Sequence, residues 1–168
     1  MPIRFTTAAQ PGDFDAISRL GAVIWTEHYT PIVGKAQVAY MLEKFQSAAS
    51  IAAQIAEQQY VYTMARADEQ LVGYAGVQPE ADGGLFISKF YILKEFRGHG
   101  AGRRLFEHVI RPYARPGGIR IWLTVNKKNT GAIAVYNKLG FTAERELVTD
   151  IGEGYVMDDY VMALALSG

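Results

Sequence analysis

The 168 residues include no cysteine. That excludes disulfides, thiolate zinc sites, iron–sulfur clusters and a cysteine nucleophile. It accords with a reducing compartment. Net charge is also missing: 17 Lys+Arg balance 17 Asp+Glu. Neutralising duplex phosphates needs a basic excess, so nucleic acid is not an expected partner. No stretch approaches the ~20 apolar residues of a membrane span. Met1-Pro2-Ile3-Arg4-Phe5 lacks the apolar centre of a secretory signal. The expectation is a cytoplasmic protein with no membrane partner. The three histidines, His28, His99 and His108, are not spaced i, i+4, and no carboxylate-rich pattern accompanies them. No metal is expected.

What is present is globular. Apolar residues make up 49% and charged residues 20%. The length suits one domain with a single core. Asp13 is a plausible N-cap for a helix carrying Phe14, Ile17, Leu20, Ile24 and Trp25, which should stop near Tyr29-Thr30-Pro31. Gly34 to Gln59 reads as one or two further helices. Strands follow at Tyr60–Met64 and Leu71–Val77. Leu85 to Leu93 (LFISKFYIL) is apolar almost throughout and predicts a central strand buried on both faces. Leu105, Phe106, Val109, Ile110 and Tyr113 form a helical stripe that Pro112, late in it, ends or kinks. A strand over Ile119–Val125, a helix from Asn129 closed by Gly140, and strands over Phe141–Val148 and Tyr155–Leu166 complete the chain. The expected class is α/β, a sheet of mixed strand directions with helices on both faces.

Arg97-Gly98-His99-Gly100-Ala101-Gly102 lies between a strand and a helix. Glycines there let backbone N–H groups turn inward, and the helix N-terminus adds free donors and partial positive charge. Such a turn cradles a phosphate or pyrophosphate. It is not a Walker A loop, since no Gly-Lys-Ser/Thr follows, and Arg103 breaks a GxGxxG fingerprint begun at Gly98. The plainer reading is a tight turn before a helix. The clustered Arg97, Arg103 and Arg104 argue against it.

Arg97-x-x-Gly100-x-Gly102 resembles the Q/R-x-x-G-x-G/A signature of the GNAT superfamily of acyl-CoA-dependent N-acetyltransferases. Asn129, Ala132, Tyr136 and Leu139-Gly140-Phe141 resemble a second block of that family. The resemblance spans Tyr60 to Leu166 by element order. It implies a single N-acetyltransferase domain over 1–168 with a mostly antiparallel sheet. Trp25-x-x-x-Tyr29 and Asp150 to Met162 are similar to the PaiA-like branch, related to spermidine/spermine acetyltransferases.

The resemblance implies roles. Backbone groups of Phe90, Tyr91 and Ile92 would meet the pantetheine arm of acetyl-CoA, and an amide there would steady the oxyanion. Arg97, Gly98, His99, Gly100, Ala101, Gly102 and Arg103 would hold the pyrophosphate. Asn129 would contact pantetheine, or simply cap a helix, or both. Tyr136 would protonate the departing thiolate; otherwise it is a core tyrosine. The acceptor amine must lose a proton before attack, because alkylamines are protonated at pH 7. Related polyamine enzymes place a glutamate base where this chain has Ser88. Glu27, His28, Asp158 and Asp159 are candidate substitutes. Lys89 to Arg120 holds eight cations and two acids, and Phe141 to Tyr160 holds six acids and one cation. The first suits a polyphosphate and the second a cationic acceptor, or a solvated surface. Trp25, Tyr29, Tyr155 and Tyr160 would line the acceptor pocket or the core.

The expected activity is acetyl transfer from acetyl-CoA to a primary amine of a small molecule, a polyamine being one candidate, by direct attack in a ternary complex. Alternatives are a protein N-terminal or lysine acetyltransferase, and a non-catalytic acyl-CoA-binding module. A homodimer through the edge of the final strand is expected.

Overall fold

In the computed structural model, which describes residues 2–166, the elements run β1 (Ile3–Thr7), α1 (Pro11–Val33), α2 (Lys35–Gln46), α3 (Ala48–Gln58), β2 (Val61–Ala67), β3 (Gln70–Pro79), β4 (Leu85–Ile92), α4 (Ala101–Ile110), β5 (Ile119–Asn126), α5 (Thr130–Leu139), β6 (Thr142–Gly152) and β7 (Tyr155–Leu166). The class is α/β, as expected. Pairing is antiparallel at β1–β2, β2–β3, β5–β7 and β6–β7, and parallel at β4–β5. The chain divides into two units, Met1–Gln78 with Lys89–Pro112, and Pro79–Ser88 with Tyr113–Gly168.

In the first unit the strands lie in the order β1-β2-β3-β4. Successive β4 side chains point to opposite faces. Tyr91 meets Trp25 of α1 at 5.6 Å between centroids, whereas Phe90 meets Phe106 of α4 at 6.4 Å. Helices therefore cover both faces of this unit. Of β4 itself, the Leu85, Ile87 and Lys89 face is buried and the Phe86, Ser88 and Phe90 face is half-buried, less complete than the sequence suggests.

Helix α1 departs from expectation at both ends. Gln10 is its N-cap, and Asp13 is the third helical residue. The Asp13 Oδ2 accepts the N–H groups of Ala9 (2.9 Å) and Gln10 (3.1 Å). The helix then continues through Pro31 to Val33. A proline so near the end forfeits one backbone bond. The Thr30 hydroxyl donates to the Thr26 carbonyl, and Gly34 N–H closes the last turn on Thr30 at 3.0 Å. Burial of Ile17, Leu20, Ile24 and Trp25 holds the rest. Gly21 makes the seating possible, since a Cβ there would lie 2.9 Å from Gln46 Cγ and from Tyr74 Oη. The Gly34–Gln59 region resolves into two helices, α2 and α3, which bury Val38, Met41 and Ile51.

In the second unit the order is β4-β5-β7-β6. Parallel pairing of β4 with β5 covers Leu85↔Ile121 and Phe86↔Trp122. Phe86 stacks on Trp122 at 4.3 Å, and the indole N–H donates to Glu80 at 2.8 Å. Phe141 is 1% exposed, a burial that stabilises by roughly 1.5–3 kcal/mol. Strand β7 is flanked on both sides, by β5 and β6. The expectation that the final strand offers a free edge to a second subunit is therefore wrong: the last hairpin folds back, and β6 takes the edge.

Candidate functional site

The strand β4 ends at Ile92, and the loop after it is tied to that end. Arg97 Nε donates to the Ile92 carbonyl at 2.8 Å. Gly98 and Gly100 have φ of 82° and 81°, a region that favours glycine. Gly102 is different. It is the second residue of α4, has no positive φ, and a Cβ added there would meet nothing within 4 Å. Alanine would favour the helix by about 1 kcal/mol, so neither packing nor backbone strain requires glycine here. Something outside the chain can approach this backbone closely. No side chain caps the α4 N-terminus, which leaves its first N–H groups and partial positive charge facing out. His99, Arg103 and Arg104 are exposed around it, and Arg103 reaches Glu107 at only 4.0 Å. Ala101 is buried, which leaves only its backbone to offer a ligand. These groups fit the pyrophosphate of a coenzyme A thioester.

Beside β4 in the same unit stands an aromatic wall. Tyr29 and Tyr91 join hydroxyl to hydroxyl at 2.9 Å, and Trp25 packs on both, at 5.7 and 5.6 Å. Tyr74 follows at 5.6 Å from Tyr91, then Tyr62 and Tyr60. Trp25 is 3% exposed, so its surface goes to these neighbours. Tyr29 is half-buried, and Glu27 is exposed. Burial pushes the Tyr62 and Tyr74 hydroxyls well above the ordinary phenol range, which keeps both neutral.

Sequence reasoning missed the character of Lys89. By sequence it belongs with the cations suited to phosphate, yet it is 7% exposed. Its nitrogen lies 5.4 Å from the centre of the Tyr60 ring. Its stem runs against Gly76, where a Cβ would be 3.2 Å from Lys89 Cγ. Burial pulls its pKa down to about 8. The available signal was a single cation inside LFISKFYIL. Arg120 and Arg115 are also withdrawn from that group. Arg120 pairs with Glu144, and Arg115 lies against Gly83.

The second unit gathers its buried polar side chains, among the described residues, at one place: Asn126, Asn129 and Asp159. All lie at the C-terminal end of β5. Asn126 is in register with Asp159 of β7. Asn126 Oδ1 accepts Lys128 N–H at 2.9 Å, and its carbonyl accepts Asn129 N–H at 2.9 Å. Asn129 Oδ1 accepts Ala132 N–H at 3.2 Å and so caps α5. About two turns along α5 from that cap, Tyr136 is half-buried and packs edge-on against Phe141 at 5.8 Å.

Asp158 and Asp159 are adjacent but opposite in character. Asp158 binds Lys127 at 2.9 Å, and Glu146 binds the same ammonium at 2.7 Å. These bonds raise the Lys127 pKa. Asp159 is 4% exposed, and its Oδ1 has no hydrogen-bond partner among the described residues. Burial, and secondarily the Asp158 charge, push its pKa up to about 6. Of the acidic segment, Glu144, Glu146 and Asp158 are thus paired, and Asp150 accepts Gly152 N–H at 2.8 Å in a turn. Much of that segment's charge is spent locally. Among the described residues, no three His, Asp or Glu side chains group as metal ligands would, and no helix is long and apolar enough to cross a membrane.

Comparison with known proteins agrees with this arrangement. The acetyltransferase (GNAT) family model matches residues 24–141. An uncharacterized N-acetyltransferase of Mycobacterium tuberculosis is 30% identical over 92% of this chain and 98% of its own length. The [ribosomal protein bS18]-alanine N-acetyltransferase of Salmonella typhimurium is 30% identical over 66% of this chain and 74% of its own. A probable spermine N(1)-acetyltransferase of Bacillus subtilis subsp. natto is 33% identical over 46% and 56%. Among solved structures, the PaiA N-acetyltransferase of Thermoplasma acidophilum, in complex with coenzyme A, superposes with a TM-score of 0.83 at 19% identity, covering 98% of this chain and 99% of that one. The glycine loop after β4 and the capped α5 both fall within the matched residues, and the chain belongs to the acetyltransferase (GNAT) family and is an acetyl-CoA-dependent N-acetyltransferase.

Proposed function

We propose that the protein, working as one domain over 1–168, acetylates a primary amine of a small molecule by direct attack in a ternary complex. The observation that carries the direct route is the absence of cysteine. Without a thiol, the favoured acyl-enzyme nucleophile is missing and the amine itself attacks. Acetyl-CoA supplies the activated thioester. The Gly98–Arg103 backbone and Arg103 hold its pyrophosphate, Arg97 fixes the loop to β4, and the β4 backbone at Phe90, Tyr91 and Ile92 orients the pantetheine arm. Asn129 sets the start of α5. Tyr136, about two turns on, donates a proton to the departing sulfur.

A small acceptor is supported by the helical character of the Gly34–Gln59 region, where α2 and α3 bury Val38, Met41 and Ile51. Tyr29 and Tyr91 offer aromatic faces that suit an alkylammonium. Polyamines are one acceptor class, supported by the Bacillus relative. The Salmonella relative supports a second reading, a protein N-terminus. A panel of spermidine, putrescine, simple alkylamines, amino acids and an alanine-first peptide decides between them. Thiol release from acetyl-CoA with the small amines and not the peptide is expected. Release with the peptide alone would overturn the small-amine reading. In cells, we place the reaction in the cytoplasm.

A further inference from the structure

We propose that Arg4 and Arg66 form a binding site for a phosphate dianion at the β1 edge of the sheet. Both residues lie in the first unit. Arg4 of β1 stands directly across from Arg66 of β2. Side chains so placed have Cβ atoms about 5 Å apart, and like charges there repel. Among the described residues neither arginine forms an ion pair. Asp68 and Glu69, in the turn after β2, are exposed and leave the pair uncompensated. A second observation does not depend on charge. Arg4 is exposed, but Arg66 is half-buried, and its Nη1 is buried with no hydrogen-bond partner among the described residues. A buried guanidinium donor left unmet is costly. The third observation is the backbone. Strand β2 pairs with β3 as Ala65↔Gly73 and then Arg66↔Leu71, so Val72 is an extra residue at this point. A bulge of that kind breaks the pairing locally and re-aims the side chains beside it.

The ligand class follows from the two side chains. A guanidinium presents its N–H groups in a planar fork that matches phosphate or carboxylate oxygens. Two forks carry two positive charges. A phosphate dianion balances both and offers oxygens to each, whereas a carboxylate balances one. Bound between the two arginines, the anion turns a repulsion into a bridge. It also ties down β1, a strand of five residues at the edge of the sheet whose only strand neighbour is β2.

This site is separate from the cofactor loop. Phe5 packs on His108 of α4 at 4.7 Å between ring centres, so it points to the α4 face. Arg4, next to it along β1, points to the other face. Arg66 shares that second face with Tyr62, whose hydroxyl donates to Gln54 of α3 at 2.5 Å. Helix α4, whose N-terminus is proposed above to hold the pyrophosphate, covers the first face.

The test is thermal melting of wild type, Arg4→Gln and Arg66→Gln, each saturated with acetyl-CoA so that added phosphate does not report on the α4 loop. Inorganic phosphate, glycerol phosphate and acetate are each titrated to about 50 mM against sodium chloride at matched ionic strength. In wild type, phosphate at about ten times its Kd should raise Tm by about 3–6 °C, and acetate at the same concentration should raise it less. Glycerol phosphate acting below the concentration of inorganic phosphate would support the site with an organic phosphate as its ligand; the reverse order would support it with the free ion. Both variants should lose the rise. Without phosphate, Arg4→Gln should melt no lower than wild type, because the repulsion is gone. Arg4 is exposed, so this variant reads the site whether or not Arg66→Gln folds. No rise beyond that given by chloride, a rise retained in Arg4→Gln, or acetate matching phosphate would overturn the assignment.

Discussion

Replacing Gly102 by alanine should push stability and cofactor binding in opposite directions. The residue is the second of α4, has no positive φ, and a Cβ there would find no protein atom within 4 Å. The fold therefore gains: alanine is favoured over glycine by roughly 0.5–1 kcal/mol in a helix. For a chain of this size that is a rise in Tm of about 1–4 °C. The bound cofactor loses. On the proposed reading the methyl stands where the pyrophosphate approaches the backbone, and breaking one backbone hydrogen bond to a charged oxygen costs about 1.5–3 kcal/mol. That is a loss of roughly 10- to 150-fold in acetyl-CoA affinity. Thermal melts without ligand and calorimetric titration with acetyl-CoA read both quantities on one preparation. A lower Tm would show that the fold does need this glycine. An unchanged Kd would remove the loop from the cofactor site.

Three further outcomes follow from the same geometry. Tyr136→Phe should lower kcat about 10²-fold or more while acetyl-CoA still binds, since on the proposed reading it removes a proton donor and not a contact surface; steady-state kinetics with calorimetry checks this. Asn129→Ala should cost about 1 kcal/mol of stability through loss of the α5 cap, measured by urea unfolding. Lys89 has a folded pKa of about 8, below its ordinary value of 10.5, so between those values the unfolded chain binds more protons and stability rises with pH. The displacement corresponds to about 3 kcal/mol. Lys89→Met should therefore be more stable than wild type at pH 7 by about 1–3 kcal/mol, part of the gain being offset by the lost contact with Tyr60. Its advantage should fade by pH 10.5, and an advantage constant across that range would contradict the burial argument.

The sequence carried the elements that local chemistry dictates. Gly100 and Gly140 mark helix boundaries through their left-handed backbones, and Asn129 is the cap that its type and position suggest. Helix α1 outran its proline because Thr30, Gly34 and the buried stripe compensate for one missing bond, which no local rule weighs. The burial of Lys89 was hidden for a similar reason. A lysine in a strand looks like any other cation until Gly76 and Tyr60 are seen against it. Adjacent Asp158 and Asp159 are indistinguishable as letters. Strand alternation together with Lys127 makes one a surface ion-pair partner and the other a buried carboxylate. The acidic run suggested a broad field for a polycation, but pairing with Arg120 and Lys127 leaves a more local feature.

The central claim is acetyl transfer from acetyl-CoA to an amine without an acyl-enzyme. Intact-mass measurement and thiol release in one reaction address it. With acetyl-CoA alone, the protein mass should stay unmodified and little thiol should appear; adding an amine should release thiol and form acetamide in equal amounts. The protein has no cysteine to react with the thiol reagent. A protein mass raised by one acetyl group, discharged when amine is added, would contradict direct attack. Thiol release that does not depend on any amine would contradict the transferase account as a whole.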